Sequence, residues 1–266
     1  MTKQIDVHQQ PNGWDTTDDA FLGGQLTITQ TRNGSRAGLD AVFLAAACPA
    51  EPGQHVLDLG AGSGIVALAT ACRIRDTQVT GIELDAELCE LARSNAKRNK
   101  LSDRARFIVG DVTGPTRKLA EAGLAPDSFD HALANPPFLA TGDSRLPSDK
   151  RLRLAHALNP GDLEKWIKCL ATFLKPGGTA TIIHRADALP KLLEHCKGRL
   201  GGLCIFPLFP RQGAPASRII LQGRKSSRAP LNLASGMVLH EAGQQFTPEA
   251  QAILRGGAGL DVTPAR

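Results

Sequence analysis

The chain has 266 residues, 31 Lys and Arg against 26 Asp and Glu for a net charge of +5, and is 42% hydrophobic and 21% charged. That composition excludes a disordered or fibrous chain, and the length suits one large domain, or one with an appendage. Such a chain buries ~70–75% of its unfolded surface and needs no disulfide staples.

Charge is unevenly placed. Residues 49–92 hold two basic and seven acidic side chains, 93–106 hold six basic and one acidic, and 191–228 hold eight basic and one acidic. An acidic part is thus set against basic segments, which suit an anionic partner or are ordinary solvated helix faces. The six Cys show neither C-x-x-C spacing nor a Cys/His cluster of zinc type, so no metal is expected. MTKQIDVHQQPNGWD lacks the apolar stretch of a signal peptide, and no apolar run approaches a membrane span. The expectation is a reduced, cytoplasmic protein without a membrane partner.

In chain order, 1–17 reads as a flexible N-terminus. A segment over 18–50 follows, with 21–30 alternating around Gly23-Gly24 as a hairpin and 39–47 forming an apolar helix. A core over 51–228 then alternates strands at 54–59, 78–83, 106–109, 129–134 and 179–184 with helices at 65–72, 85–98, 117–122, 163–174 and 188–199. This pattern predicts a parallel sheet with helices on both faces. Strands at 203–208 and 218–222 have no helix between them, only Pro207, Pro210, Gly213 and Pro215, and so predict an antiparallel hairpin at the sheet edge. A C-terminal extension over 229–256 carries a last helix, signalled by Thr247, Pro248, Glu249 and Gly256, and 257–266 reads as a flexible tail. The stretch 139–159 is long, basic and poorly periodic.

Val56-Leu57-Asp58-Leu59-Gly60-Ala61-Gly62-Ser63-Gly64 is a strand running into a G-x-G-x-G turn, where glycine lets the backbone approach a ligand closely. Glu83, at the end of the next strand, suits two ribose hydroxyls. The third glycine of a dinucleotide fingerprint would fall at Ile65, so that fingerprint fails, and S-adenosylmethionine, which has no pyrophosphate, fits better. Asp111 in Gly110-Asp111-Val112 is either an acceptor for an adenine amino group or a turn aspartate. Asn135-Pro136-Pro137-Phe138 follows the fourth strand, as a rigid turn at the ligand-binding edge or as a plain strand terminator.

Through DLGAGSG at 58–64, Glu83, Asp111 and NPPF at 135–138, the chain resembles the class I, Rossmann-like S-adenosylmethionine-dependent methyltransferases. The resemblance implies one methyltransferase domain over 18–256. Its α/β sheet would have seven strands, mostly parallel, with an antiparallel edge hairpin and helices on both faces. It implies S-adenosylmethionine held by Arg36, Gly38, Asp40, Asp58, Gly60, Gly62, Gly64, Glu83, Leu84, Asp111, Val112 and Asn135. It implies catalysis by Asn135, Pro136 and Phe138 on a planar amino nitrogen, in adenine or in a glutamine amide. Asn135 and the Pro136 carbonyl would accept the two amino hydrogens, and Phe138 would stack on the base. With no Tyr in the chain, Phe138 is the main stacking candidate.

QTRNGSRAGLDAVFLAA at 30–46 and PLFPRQGAPASRIILQGRK at 207–225 are similar to segments of the tRNA1(Val) adenine-N6-methyltransferase group, although Thr31 and Ser35 stand where relatives often have Pro and Tyr. That similarity, over roughly 18–256, implies N6 of adenine 37 in valine tRNA as the target. Its RNA contacts would come from Pro137, Arg145, Lys150, Arg151, Arg153, Arg211 and Arg218, with Lys197, Arg199, Arg224 and Lys225 as further candidates. Four alternatives remain. One is a glutamine-N5 methyltransferase of release factors, for which about fifty residues before the glycine turn are too few to form the usual helical domain. The others are a ribosomal-RNA adenine enzyme, a DNA adenine enzyme, and an inactive nucleoside-binding module.

Overall fold

A computed structural model describes residues 7–9 (backbone only), 15–32, 38–137, 161–243 and 245–263. Three strands, β1 (Val7–Gln9), β2 (Asp15–Phe21) and β3 (Leu26–Thr31), form a small antiparallel sheet. The expected hairpin is present, with Gly23 at φ 68° in its turn, but its first strand begins at Asp15, inside the segment read as a flexible N-terminus. The alternation of Thr16, Thr17, Asp18 and Asp19 is polar throughout, so it gives no hydrophobic strand signal.

Helix α1 (Leu39–Ala46) leads into the main sheet, built from β4 (His55–Leu59), β5 (Gln78–Glu83), β6 (Ala105–Val109), β7 (Phe129–Ala134), β8 (Leu174–Arg185), β9 (Leu200–Arg211) and β10 (Arg218–Lys225). Their spatial order is β6-β5-β4-β7-β8-β10-β9; the first five are parallel, and β10 runs antiparallel between β8 and β9. Two short strands, β11 (Asn232–Leu233) and β12 (Met237–His240), extend the seven-stranded core along the outer side of β9. Sequence reading missed both, because two and four residues are too few to show a period.

Strand residues alternate between two cores. Val56, Leu133, Ile183 and Ile220 face α1, α2 (Ile65–Arg73) and α3 (Ala86–Arg98), together with the N-terminal hairpin. Leu57, Ala132, Ile182 and Leu221 face α4 (Thr116–Glu121), α5 (Asp162–Phe173) and α6 (Leu189–Cys196). Asp85 caps α3, accepting from the Glu87 and Leu88 amides at 2.8 and 3.3 Å. The final helix, α7 (Pro248–Gly256), starts at Thr247, whose hydroxyl accepts from the Ala250 amide, and stops at Gly257 with φ 69°.

Within 257–263, expected as a flexible tail, two residues are tied to the body of the fold. The Leu260 amide donates to the Ala46 carbonyl at 2.8 Å, and Val262 is buried, its carbonyl accepting from Cys204 Sγ. Strand β8 starts at Leu174, directly after α5, and carries Pro176-Gly177-Gly178 as an irregularity in its pairing with β7. Among the described residues no helix is long and apolar enough to cross a membrane, and no cluster of His, Cys, Asp and Glu suits a metal ion.

Candidate active site

Four adjacent parallel strands end on one edge of the sheet. Leu59 of β4 pairs with Ile82 of β5 and Ala134 of β7, and Glu83 pairs with Val109 of β6. The residues that follow these ends are therefore neighbours: the glycine turn, Leu84, Gly110-Asp111-Val112 and Asn135-Pro136-Pro137. This carboxyl edge is where open α/β sheets take ligands.

Gly60, Gly62 and Gly64 all have positive φ, at 68, 55 and 88°. A Cβ at Gly60 would sit 2.4 Å from Trp166 Cη2, and one at Gly64 would sit 2.8 Å from Phe107 Cζ, whereas one at Gly62 would meet nothing within 4 Å. The turn is thus packed beneath at 60 and 64 and open at 62. The Ala61 amide donates to the Ile82 carbonyl at 2.8 Å, and the Gly62 amide to Glu83 Oε2 at 2.8 Å. Glu83 Oε1 accepts from the Asp85 amide at 2.9 Å. Each carboxylate oxygen of Glu83 therefore takes one backbone donor and keeps a lone pair for a ligand hydroxyl. Burial raises the Glu83 pKa, and these amide bonds oppose the rise.

Asp58, 1% exposed, lies in β4 and accepts from the Ala67 amide at 3.2 Å. Burial pushes its pKa up to about 8; the Ala67 amide lowers it and the Glu83 charge raises it. Between its ordinary value of 3.8 and about 8 the folded, ligand-free protein holds a proton that the unfolded chain releases. The contribution of Asp58 to stability therefore falls as pH rises through that window and levels off above it. Asp58→Asn should flatten the decline in melting temperature between about pH 4 and pH 8. Parallel declines in the variant and the parent would refute this.

Leu84 is 52% exposed and Val112 is buried. Asp111 is exposed, and its Oδ1 accepts from the Thr113 amide and hydroxyl at 2.8 and 2.7 Å, the turn-aspartate arrangement, which leaves Oδ2 available to a ligand donor. Pro136 is buried and anchors the turn, while Asn135 and Pro137 are partly exposed. Among the described residues, Asn135 makes no side-chain hydrogen bond.

Gly38 precedes α1, whose first turn carries Asp40. The partner of Asp40 here is Arg218, whose Nε donates to Oδ2 at 2.9 Å across 178 residues of sequence. The basic candidates split between the two ends of the sheet. Arg211 and Arg218 lie at the carboxyl edge, but Arg224 pairs with Thr179 at the opposite end, as does Lys225 with Leu200. Lys225 Nζ is bound to Asp127 Oδ1 and the Leu174 carbonyl, and Arg199 to Glu164 Oε1 and the His195 carbonyl. Lys197 follows α6 beside Arg199, at the start of β9 and thus at that far end. Arg36, Phe138, Arg145, Lys150, Arg151 and Arg153 lie outside the described residues.

Two residues at this edge have no motif to announce them. Trp166, on α5 and 6% exposed, forms the floor beneath Gly60. Asn95, on α3, donates from Nδ2 to the Ser63 carbonyl at 2.9 Å. The signal for Asn95 was a pair of asparagines four residues apart on an otherwise amphipathic helix, where Asn is a poor helix former.

A glycine turn held by an acidic residue from the next strand, on a sheet whose last two strands are antiparallel, defines an S-adenosylmethionine-dependent methyltransferase. The methyltransferase small domain family matches residues 34–160. The tRNA1(Val) (adenine(37)-N6)-methyltransferase of Porphyromonas gingivalis is 33% identical over 178 residues, covering 65% of this chain and 68% of that one. The protein of the same name from Aeromonas salmonicida is 27% identical over 233 residues, covering 86% and 93%. The crystal structure of a predicted O-methyltransferase, Atu636 of Agrobacterium tumefaciens, superposes with a TM-score of 0.71 at 29% identity, covering 84% of this chain and 98% of that one. The chain belongs to the family of the tRNA1(Val) (adenine(37)-N6)-methyltransferases. It is an N-methyltransferase that uses S-adenosylmethionine.

Proposed function

We propose that the protein methylates the exocyclic N6 of adenine in RNA, and specifically adenine 37 of valine tRNA. The observation that carries this reading is the position of the Asn135-Pro136-Pro137 turn beside the glycine turn, on the carboxyl ends of neighbouring strands β7 and β4. The tRNA1(Val) (adenine(37)-N6)-methyltransferases among its relatives support the particular tRNA.

The edge fits the cofactor. Gly62 leaves room for it, Glu83 keeps lone pairs for two ribose hydroxyls, and the exposed Leu84 offers an apolar face to its adenine, with Val112 completing that wall. Asp111 Oδ2 takes the amino group of that adenine. Asp58, Gly38 and Asp40 are assigned to the methionine end, as the resemblance also assigns Arg36. When bound, S-adenosylmethionine supplies a methyl group on a positively charged sulfur.

The amine of the target adenine is a weak nucleophile because its lone pair is delocalised into the ring. Asn135 Oδ1 and the Pro136 carbonyl accept its two hydrogens and so turn the lone pair out of conjugation. As the C–N bond forms and the methyl–sulfur bond breaks, with its electron pair passing to sulfur to leave S-adenosylhomocysteine, positive charge would grow on nitrogen and the same two acceptors would stabilise it. The methylated nitrogen then gives one of its protons to water, and no strong base is required. Phe138 would supply the stacking surface that holds the exposed, unstacked base. Arg211 and Arg218, at this edge, together with Arg145, Lys150, Arg151 and Arg153, take the phosphates.

Labelled S-adenosylmethionine should be supplied in parallel with valine tRNA, ribosomal RNA, duplex DNA and a release factor. Label is expected in the tRNA at adenine, with activity that falls steeply as salt is raised. Label in protein but not in RNA would overturn the assignment.

A further inference from the structure

Asn95 has a place in the site that no motif assigns. It stands on α3 four residues before Asn99, so both amides face the same way. Asn95 is 1% exposed. Its Oδ1 accepts from the Thr29 amide at 2.9 Å, and its Nδ2 donates to the Thr29 carbonyl at 3.0 Å and to the Ser63 carbonyl at 2.9 Å. Asn99 repeats the pattern one step along β3. Its Oδ1 accepts from the Thr27 amide at 2.9 Å, and its Nδ2 donates to the Thr27 carbonyl at 2.8 Å and to the Asn95 carbonyl at 2.8 Å.

The two side chains thus act as a surrogate strand on the side of β3 away from β2. Only Asn95 reaches the glycine turn as well. The peptide between Ser63 and Gly64 is held at both ends: Asn95 takes its carbonyl, and its N–H donates to the Ala61 carbonyl at 2.8 Å. Gly64, on one side of that peptide, sits at φ 88°, a conformation that glycine alone adopts freely, so the two hydrogen bonds fix an orientation that side-chain sterics do not impose.

We propose that Asn95 is a positioning residue for cofactor binding, fixing the Ser63–Gly64 peptide and locking the N-terminal sheet to the cofactor turn as one unit. This rests on the reading of the turn as the S-adenosylmethionine site. The same amide that shapes the turn fixes β3, and β3 leads to Gly38 and Asp40, so cofactor binding and docking of the N-terminal sheet are coupled.

The test compares Asn95→Asp, Asn95→Ala and Asn99→Ala with the parent enzyme. In Asn95→Asp the acceptor for the Thr29 amide survives but both donors are lost. The KM for S-adenosylmethionine should rise by about tenfold or more, while the KM for tRNA stays within about twofold. Asn99→Ala, which leaves the Ser63 bond intact, should lower the melting temperature without moving the cofactor KM by more than about twofold. Hydrogen exchange on the parent enzyme needs no variant. S-adenosylhomocysteine should slow exchange of the Thr29 amide more than that of the Thr27 amide. Unchanged cofactor affinity in a folded Asn95→Asp, equal cofactor weakening in Asn99→Ala, or no change at Thr29 would each overturn the proposal. Failure of the parent enzyme to bind S-adenosylhomocysteine would instead overturn the reading of the turn itself.

Discussion

Asn135→Ala should lose about a hundred- to a thousandfold in kcat while binding of S-adenosylhomocysteine changes by no more than a few-fold. The side chain of Asn135 is partly exposed and makes no hydrogen bond among the described residues, so its removal leaves no buried partner unsatisfied and the fold should tolerate it. The loss falls on kcat because the acceptor acts most strongly when positive charge develops on the amine, which the ground state lacks. Asn135→Asp keeps an oxygen at the same place and should retain more activity than Asn135→Ala. Single-turnover transfer to valine tRNA, with calorimetry for the cofactor product, separates the two effects. Transfer by Asn135→Ala at the parent rate would remove Asn135 from the mechanism, and a proportional loss of cofactor affinity would make it a binding residue instead.

Much of this site could be read from the chain because its parts follow strands whose signals are strong. Strands β4, β5 and β7, buried on both faces, appear as short, mostly apolar runs, and the edge strand β6 as a run with an exposed Arg106, so their ends were found to within a residue, and the turns after them with them. What stayed hidden are contacts between side chains distant in sequence. Nothing in the spacing of Asp40 and Arg218 says that they meet, because their meeting depends on β10 entering the sheet antiparallel beside β8. That pairing also shows why a count of Lys and Arg over 191–228 misleads. An antiparallel strand carries Arg218 to the site and Arg224 to the far end of the sheet. The order of β2 and of residues 257–263 was hidden for a different reason. Their stability comes from partners elsewhere, the β3 backbone in one case and α1 with β9 in the other, and not from local pattern.

Gly60→Ala should be the most damaging substitution in the glycine turn, and Trp166 is the cause. Two costs add there. Alanine at φ 68° takes a left-handed conformation at roughly 1–2 kcal/mol. Its Cβ would also lie 2.4 Å from Trp166 Cη2, and that ring cannot withdraw, because it is packed in the core shared with α6 and β7. Overpacking of this kind costs about 1–3 kcal/mol. Gly62→Ala carries the backbone cost alone, since its Cβ meets nothing within 4 Å. In the proposed site that open space takes the cofactor, so Gly62→Ala should weaken S-adenosylhomocysteine binding more than it lowers the melting temperature. Gly60→Ala should lower both. Trp166→Phe removes the outer ring atoms that clash and should restore part of the stability lost in Gly60→Ala, although not the backbone share. Thermal melts of the two single glycine variants, of Trp166→Phe, and of the Gly60→Ala, Trp166→Phe double variant decide the matter. A double variant no more stable than the sum of its single losses would show that the clash is relieved elsewhere, and that the floor beneath the turn yields where packing says it should hold.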